Sequence, residues 1–110
     1  MKKLISAIFL LFFTTGIHAQ SNDTLMIKTS AVCETCKETI EKYLSYEKGV
    51  RSSLLDVDSK MLTVVYDPKK TEPAKIRLAV TKSGYNADSL KADPKAFNRL
   101  PGCCKKPHDE

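Results

Sequence analysis

Four cysteines carry the reactive chemistry of this 110-residue chain: Cys33 and Cys36, separated by Glu34-Thr35, and the adjacent pair Cys103-Cys104 near the C-terminus. Thiolates are soft ligands that select Cu(I), Zn(II) and similar ions. Two thiolates suffice for a near-linear Cu(I) or Hg(II), whereas a closed zinc site takes four ligands. The same spacing also suits a dithiol that cycles with its disulfide. Cys33-Glu34-Thr35-Cys36 follows an apolar run (Leu25, Met26, Ile27) and opens a helical pattern, so Cys33 falls in a loop and Cys36 in a first helical turn. A helix start carries partial positive charge and free N–H groups, both of which favour thiolate over thiol.

Other chemistries find less support. The chain has two histidines, His18 and His108, and no Ser-His-Asp constellation that would suggest a hydrolase. It has no tryptophan, and no proline stands between Cys33 and Cys36, so a periplasmic thiol-disulfide oxidoreductase is the alternative function and not the leading one. Cross-pairing of the two cysteine groups into disulfides stays open.

The elements that must position these thiols follow from periodicity. Thr24–Thr29 reads as a first strand and Ser30–Thr35 as a loop. A helix over Lys37–Tyr46 then places Cys36, Ile40, Tyr43 and Leu44 on one face, and Gly49 stops it. Val50–Val57 and Met61–Tyr66 alternate as two strands joined at Asp58-Ser59-Lys60, and Asp67-Pro68 closes the hairpin. Thr71 is the expected cap of a second helix that carries Ile76, Ala79 and Val80 inward and ends at Gly84. Tyr85–Leu90 reads as a weaker last strand. Asp93-Pro94 starts a short helix to Leu100, with Phe97 and Leu100 as docking residues.

The first residues carry a different signal. Met1-Lys2-Lys3 is charged, Leu4–Ile17 has no charge, and Ala19 offers a small residue for cleavage. This is the layout of a secretory signal peptide. The apolar run is short for a membrane span, which needs roughly 20 residues. Cleavage after Ala19 leaves 91 residues and lowers the net charge from +5 to +3 by removing Lys2 and Lys3. Such mild, interspersed charge gives no footprint for nucleic acid.

At this point the chain resembles a known family. Cys33-Glu34-Thr35-Cys36 followed by Ile40-Glu41, Gly49-Val50, the hairpin ending Val64-Val65-Tyr66-Asp67-Pro68, and Gly84-Tyr85 occur in the order found in heavy-metal-associated domains. These are the modules of copper chaperones, metal-transporting ATPases and periplasmic mercury-binding proteins. The resemblance implies that Cys33 and Cys36 are metal ligands and that the ion is handed on by ligand exchange. It also implies that Tyr85 stands beside the metal loop without binding the ion. The chain departs from the pattern at Ser30-Ala31-Val32, where the family has Gly-Met-x before the first cysteine. It departs again at Lys28, where an inward apolar residue is expected and a bulge or shifted register in the first strand would restore the phase. Leu100–Lys105 resembles the Leu-Pro-x-Cys-Cys-Lys ending of small exported proteins of this type.

The sequence therefore predicts a signal peptide over 1–19, a heavy-metal-associated domain over 22–92 and a C-terminal tail over 93–110 with a short helix and Cys-Cys. The expected fold is an α+β ferredoxin-like βαββαβ sandwich, a four-stranded antiparallel sheet with two helices on one face. The expected function is that of an exported, periplasmic metallochaperone or scavenger without catalytic activity. It binds a soft metal ion through Cys33 and Cys36, with Cu(I) ranked ahead of Zn(II) and Hg(II). Cys103 and Cys104 are candidate additional ligands on a tail that folds back over the metal loop. The expected partners are a metal-transporting membrane protein or another metal-binding domain, with the chain a monomer or a metal-bridged dimer.

Overall fold

The computed structural model describes residues 21–105; the expected signal peptide and His108 lie outside them. Three strands form one antiparallel sheet in the order β1-β3-β2: β1 is Asp23–Lys28, β2 is Val50–Asp56 and β3 is Met61–Tyr66. Among the described residues there are also three helices: α1 over Glu34–Ser45, α2 over Pro73–Lys82 and the short α3 over Pro94–Asn98. A 3-10 turn, Gly102–Cys104, follows.

The core is built as the alternation requires. Ile27 of β1, Leu55 of β2, and Leu62 and Val64 of β3 pack with Ile40 and Leu44 of α1 and Ile76, Ala79 and Val80 of α2 in one buried cluster. Burying apolar surface of this kind is the main favourable contribution to folding. Asp67 closes the hairpin as expected: its N–H donates to the Gly49 carbonyl at 2.8 Å, and its carboxylate accepts the Lys69 N–H at 2.9 Å.

The first strand needs no bulge. Its pairing with β3 runs without a break from Asp23↔Tyr66 to Lys28↔Met61. Ile27 and Thr29 are both buried, so the inward phase is simply Leu25, Ile27, Thr29, and Lys28 points outward, where its ammonium reaches the Ser59 carbonyl at 2.7 Å. The irregular step lies instead in β2, between Val50 and Ser52, where the register against β3 shifts. The caps also differ in detail. α1 starts at Glu34, three residues before the expected Lys37. The N-cap of α2 is Glu72. Thr71 is committed elsewhere: its N–H donates to the Asp67 carbonyl, and its methyl group lies where a side chain on Gly49 would stand.

The four-stranded sheet with two helices is not what forms. The core is ferredoxin-like βαββα, with three strands and, counting the short α3, three helices. The Tyr85–Leu90 segment makes only isolated bridges, Thr29↔Ala87 and Ala87↔Leu90. Asp88 explains the difference. It adopts a left-handed φ of 52°, and the Ala87–Leu90 turn folds the chain back on itself. A left-handed residue cannot continue a strand, and Asp tolerates that conformation better than most side chains. Asp88 still satisfies the edge of β1. Its carboxylate accepts the Lys28 N–H at 2.9 Å, and its own N–H donates to the Lys28 carbonyl at 2.8 Å. One residue thus replaces a ladder.

Candidate metal centre

The metal loop is pinned from both sides before it reaches the first sulfur. The Thr29 N–H and hydroxyl both donate to the Lys60 carbonyl, at 3.0 and 2.9 Å, and the hydroxyl accepts the Ala31 N–H at 3.2 Å. The Ser30 hydroxyl accepts the Asn86 N–H at 2.9 Å. Ala31 is fully buried. It lies in the stretch where the resemblance leads to an expected methionine, and the hydroxyl bonds of Thr29 and Ser30 hold the loop there.

Cys33 is the N-cap of α1, with extended backbone, and its carbonyl accepts the first helical bond, from the Lys37 N–H at 3.1 Å. Cys36 falls in the first turn and is fully buried. The two sulfurs are 3.3 Å apart. Lys37 does not serve the sulfurs; it pairs with Glu41, whose carboxylate also accepts the Leu55 N–H at 2.8 Å.

The tail brings the other two sulfurs to the same place. The Asp93 N–H donates to the Thr81 carbonyl at 2.9 Å, fixing the start of α3 against the end of α2. Leu100 is buried over Gly84, where a Cβ would meet three Leu100 side-chain carbons at 3.0 Å. Phe97, the other expected docking residue, remains 37% exposed and lies outside the buried cluster. Pro101-Gly102 then turns the chain, and the Cys104 N–H closes on the Pro101 carbonyl at 2.9 Å. Cys104 is buried and Cys103 exposed.

Five sulfur–sulfur distances define the cluster. Cys36–Cys104 is 2.6 Å, Cys33–Cys36 3.3 Å, Cys33–Cys103 3.4 Å, Cys33–Cys104 3.7 Å and Cys103–Cys104 3.8 Å. All four thiols are free. The sulfurs of Cys33, Cys103 and Cys104 all lie within 4.8 Å of one another, close enough to share one ion. With sulfur about 2.3 Å from a zinc-sized ion, tetrahedral ligands stand about 3.8 Å apart, while two ligands on opposite sides stand about 4.6 Å apart. Cys33–Cys104 and Cys103–Cys104 match the closed arrangement, and all five spacings are too short for a linear one. Cys33–Cys36 and Cys33–Cys103 are somewhat tighter, and Cys36–Cys104 is the tightest; an ion entering there would spread that pair.

Electrostatics divide the thiols. Burial alone would raise the Cys33 pKa. The Cys36 backbone N–H and the thiols of Cys36, Cys103 and Cys104 outweigh it and bring the value down to about 7. Burial pushes the Cys104 thiol up, and the Cys36 thiol beside it adds to the shift. Tyr85 is 1% exposed, and its hydroxyl has no hydrogen-bond partner. Burial, with Cys104 and Cys36 beside it, holds that hydroxyl in its neutral form. An orphaned buried O–H is costly, and here it faces the sulfurs that would take negative charge on binding a metal.

Sequence reasoning named every sulfur and Tyr85. It missed the seat of Leu100 on Gly84, since a glycine that ends a helix and also receives a distant side chain has no local signature.

The model of the heavy-metal-associated domain matches residues 29–86, and the chain belongs to that family. The mercuric transport protein periplasmic component of Acinetobacter calcoaceticus is 27% identical over 85 residues, covering 77% of this chain and 93% of that protein. The copper-transporting ATPase 1 of Rattus norvegicus is 35% identical over 77 residues, covering 70% of this chain but 5% of the ATPase. In fold the chain is similar to oxidized MerP from Ralstonia metallidurans CH34, with a TM-score of 0.58 at 23% identity over 62% of this chain and 96% of that one. Membership in this family makes the domain a binder of soft metal ions and not a catalyst.

Proposed function

We propose that this protein is an exported carrier of a soft metal ion, Cu(I) first, acting as a metallochaperone or scavenger. One observation carries the reading: the tail sulfurs stand 2.6 to 3.7 Å from sulfurs of the metal loop, and those of Cys33, Cys103 and Cys104 are close enough to share one ion. Cys33, Cys36, Cys103 and Cys104 are the ligands in this account, and Tyr85 supports the bound sulfurs without touching the ion. The arrangement suits storage and delivery together. The buried pair Cys36 and Cys104 grips the ion, while Cys33 and the exposed Cys103 offer the edge where an incoming thiolate attacks. Transfer is then ligand exchange, with the tail as a latch that leaves when a partner thiol takes its place.

Export is supported by the signal-peptide pattern over 1–19 and by the relatives named as periplasmic components of mercuric transport. A metal-transporting membrane protein is the partner class that the copper-transporting ATPase relatives suggest. Domain boundaries follow the same logic, with the metal domain over 22–92 and the latch over 93–110. Four sulfurs from one chain satisfy the ion without a second copy, so the carrier works as a monomer.

Native mass spectrometry under reducing conditions, with Cu(I), Zn(II) and Hg(II) in competition, tests the reading. One Cu(I) per monomer in preference to Zn(II) is expected. No metal bound, or an ion held only by dimers, would overturn it.

A further inference from the structure

The pairing of sulfurs across the two cysteine groups, not within them, points to a second state of this site. Cys36 and Cys104 are the closest pair, at 2.6 Å, and both are buried. Cys33 and Cys103 are 3.4 Å apart, and both can be reached from solvent. Four cysteines allow two other sets. The other cross-set would join Cys33 to Cys104 at 3.7 Å but also needs Cys36 with Cys103, and Cys103 groups with Cys33 and Cys104 instead. The set within the groups would join Cys33 to Cys36 at 3.3 Å and Cys103 to Cys104 at 3.8 Å. That set also requires neighbouring residues to close a small ring through one peptide bond. We propose that oxidation closes Cys36–Cys104 and Cys33–Cys103 as disulfides, so that the tail is covalently locked over the metal loop and the protein becomes a redox-gated carrier.

The chemistry balances with a disulfide oxidant, such as oxidised glutathione or an exported thiol oxidase. A Cys33 or Cys103 thiolate attacks the oxidant's S–S bond, forms a mixed disulfide and releases one thiol. The neighbouring protein thiol then attacks the protein-side sulfur and releases the second. For each pair, one S–S bond breaks and one forms. Two electrons pass to the oxidant, which leaves as two thiols, and the two protein thiols lose their two protons. The buried pair follows by the same exchange. Two closed pairs leave no thiolate to receive a soft ion, and a reducing dithiol reverses every step. Disulfide geometry brings each pair to about 2.0 Å between sulfurs, from 2.6 Å for Cys36–Cys104 and 3.4 Å for Cys33–Cys103. The loss of metal binding presupposes the four-sulfur site proposed above; the pairing itself does not.

The test treats the full mature chain with excess oxidised glutathione, blocks remaining thiols with an alkylating agent and maps tryptic peptides without reduction. Thr29–Lys37 carries Cys33 and Cys36, and Leu100–Lys105 carries Cys103 and Cys104. Expected is a loss of about 4 Da, one hydrogen per cysteine, with the two peptides recovered as one linked species. The variant C33S/C103S should still lose about 2 Da and still link them, whereas C33S/C104S, which leaves only Cys36 and Cys103, should not; efficient linking in C33S/C104S would overturn the pairing. A disulfide confined to either peptide, stable glutathione adducts, or free thiols would overturn the proposal, and the wild-type map decides it should a variant not fold. Cu(I) uptake, assayed on the same samples, should vanish on oxidation and return with dithiothreitol. A linked species from a protein that takes up no soft metal even when reduced would leave the redox lock standing and refute the carrier function.

Discussion

Leu100 rests on Gly84: a Cβ at Gly84 would lie 3.0 Å from the Cγ and both Cδ atoms of Leu100. This contact joins the end of α2 to the tail and carries Cys104 to the side of Cys36. It predicts that Leu100→Ala weakens metal binding without touching a ligand. Truncating a buried leucine costs about 2–5 kcal/mol, and here the loss falls on the docking of the tail. Cu(I) competition with a chromophoric chelator should show at least a tenfold loss of affinity, and Cys104 should become alkylated faster. Unchanged values would mean that the tail is held by other contacts.

Gly84→Ala attacks the same seat from below. Gly84 has φ 110°, a conformation that side chains rarely adopt, and its new methyl would press on Leu100. Alanine at such a position destabilises by more than about 1 kcal/mol. Thermal unfolding of the metal-free protein should show a lower Tm, and the tail thiols should react faster than those of the wild type.

Tyr85→Phe separates burial from hydrogen bonding. The hydroxyl is buried without a partner, and such groups cost about 1–3 kcal/mol. The variant should therefore be more stable than the wild type when metal-free, by about 1 kcal/mol in denaturant titrations. It should also release Cu(I) more readily, because the O–H facing the sulfurs is gone. A less stable metal-free variant would show that the hydroxyl already has a partner.

Asp88 sets an acid limit on the fold. Burial alone would raise its pKa, but the Lys28 N–H and the Arg77 guanidinium, at 2.9 and 2.8 Å, bring it below the ordinary carboxylate value. A carboxylate depressed in the folded state contributes stability above its unfolded pKa, about 4, and loses it as pH falls through the lower folded value. Its partial exposure keeps the effect modest. Unfolding free energy measured from pH 6 downward should fall more steeply below about pH 4 in the wild type than in Asp88→Asn. Parallel curves would remove Asp88 from the acid response.

The hairpin and both main helices were legible because their periodicities are clean: Leu62, Val64 and Tyr66 alternate, and Cys36, Ile40 and Leu44 fall on one helical face. The last strand was not. Asn86, Asp88 and Ser89 are turn formers, yet the family pattern ran on past Tyr85, and nothing local says that Asp88 adopts a positive φ and mimics a ladder with its side chain. The phase of β1 was misread for a related reason. The family pattern puts Lys28 at an inward position, but Thr29, polar by type, is the buried residue, and its hydroxyl donates to the Lys60 carbonyl. At the site, residue types announced the ligands. The convergence of sulfurs 70 residues apart depends on Leu100 and Gly84, a contact that no spacing encodes.

The central claim is that one soft ion is held by sulfurs from both the metal loop and the tail. X-ray absorption at the copper edge of the Cu(I)-loaded, reduced protein counts those sulfurs directly. Three or four sulfurs around copper are expected, falling to two in C103S/C104S. Two sulfurs in the wild type, unchanged by that double substitution, would contradict the account and leave the tail outside the site.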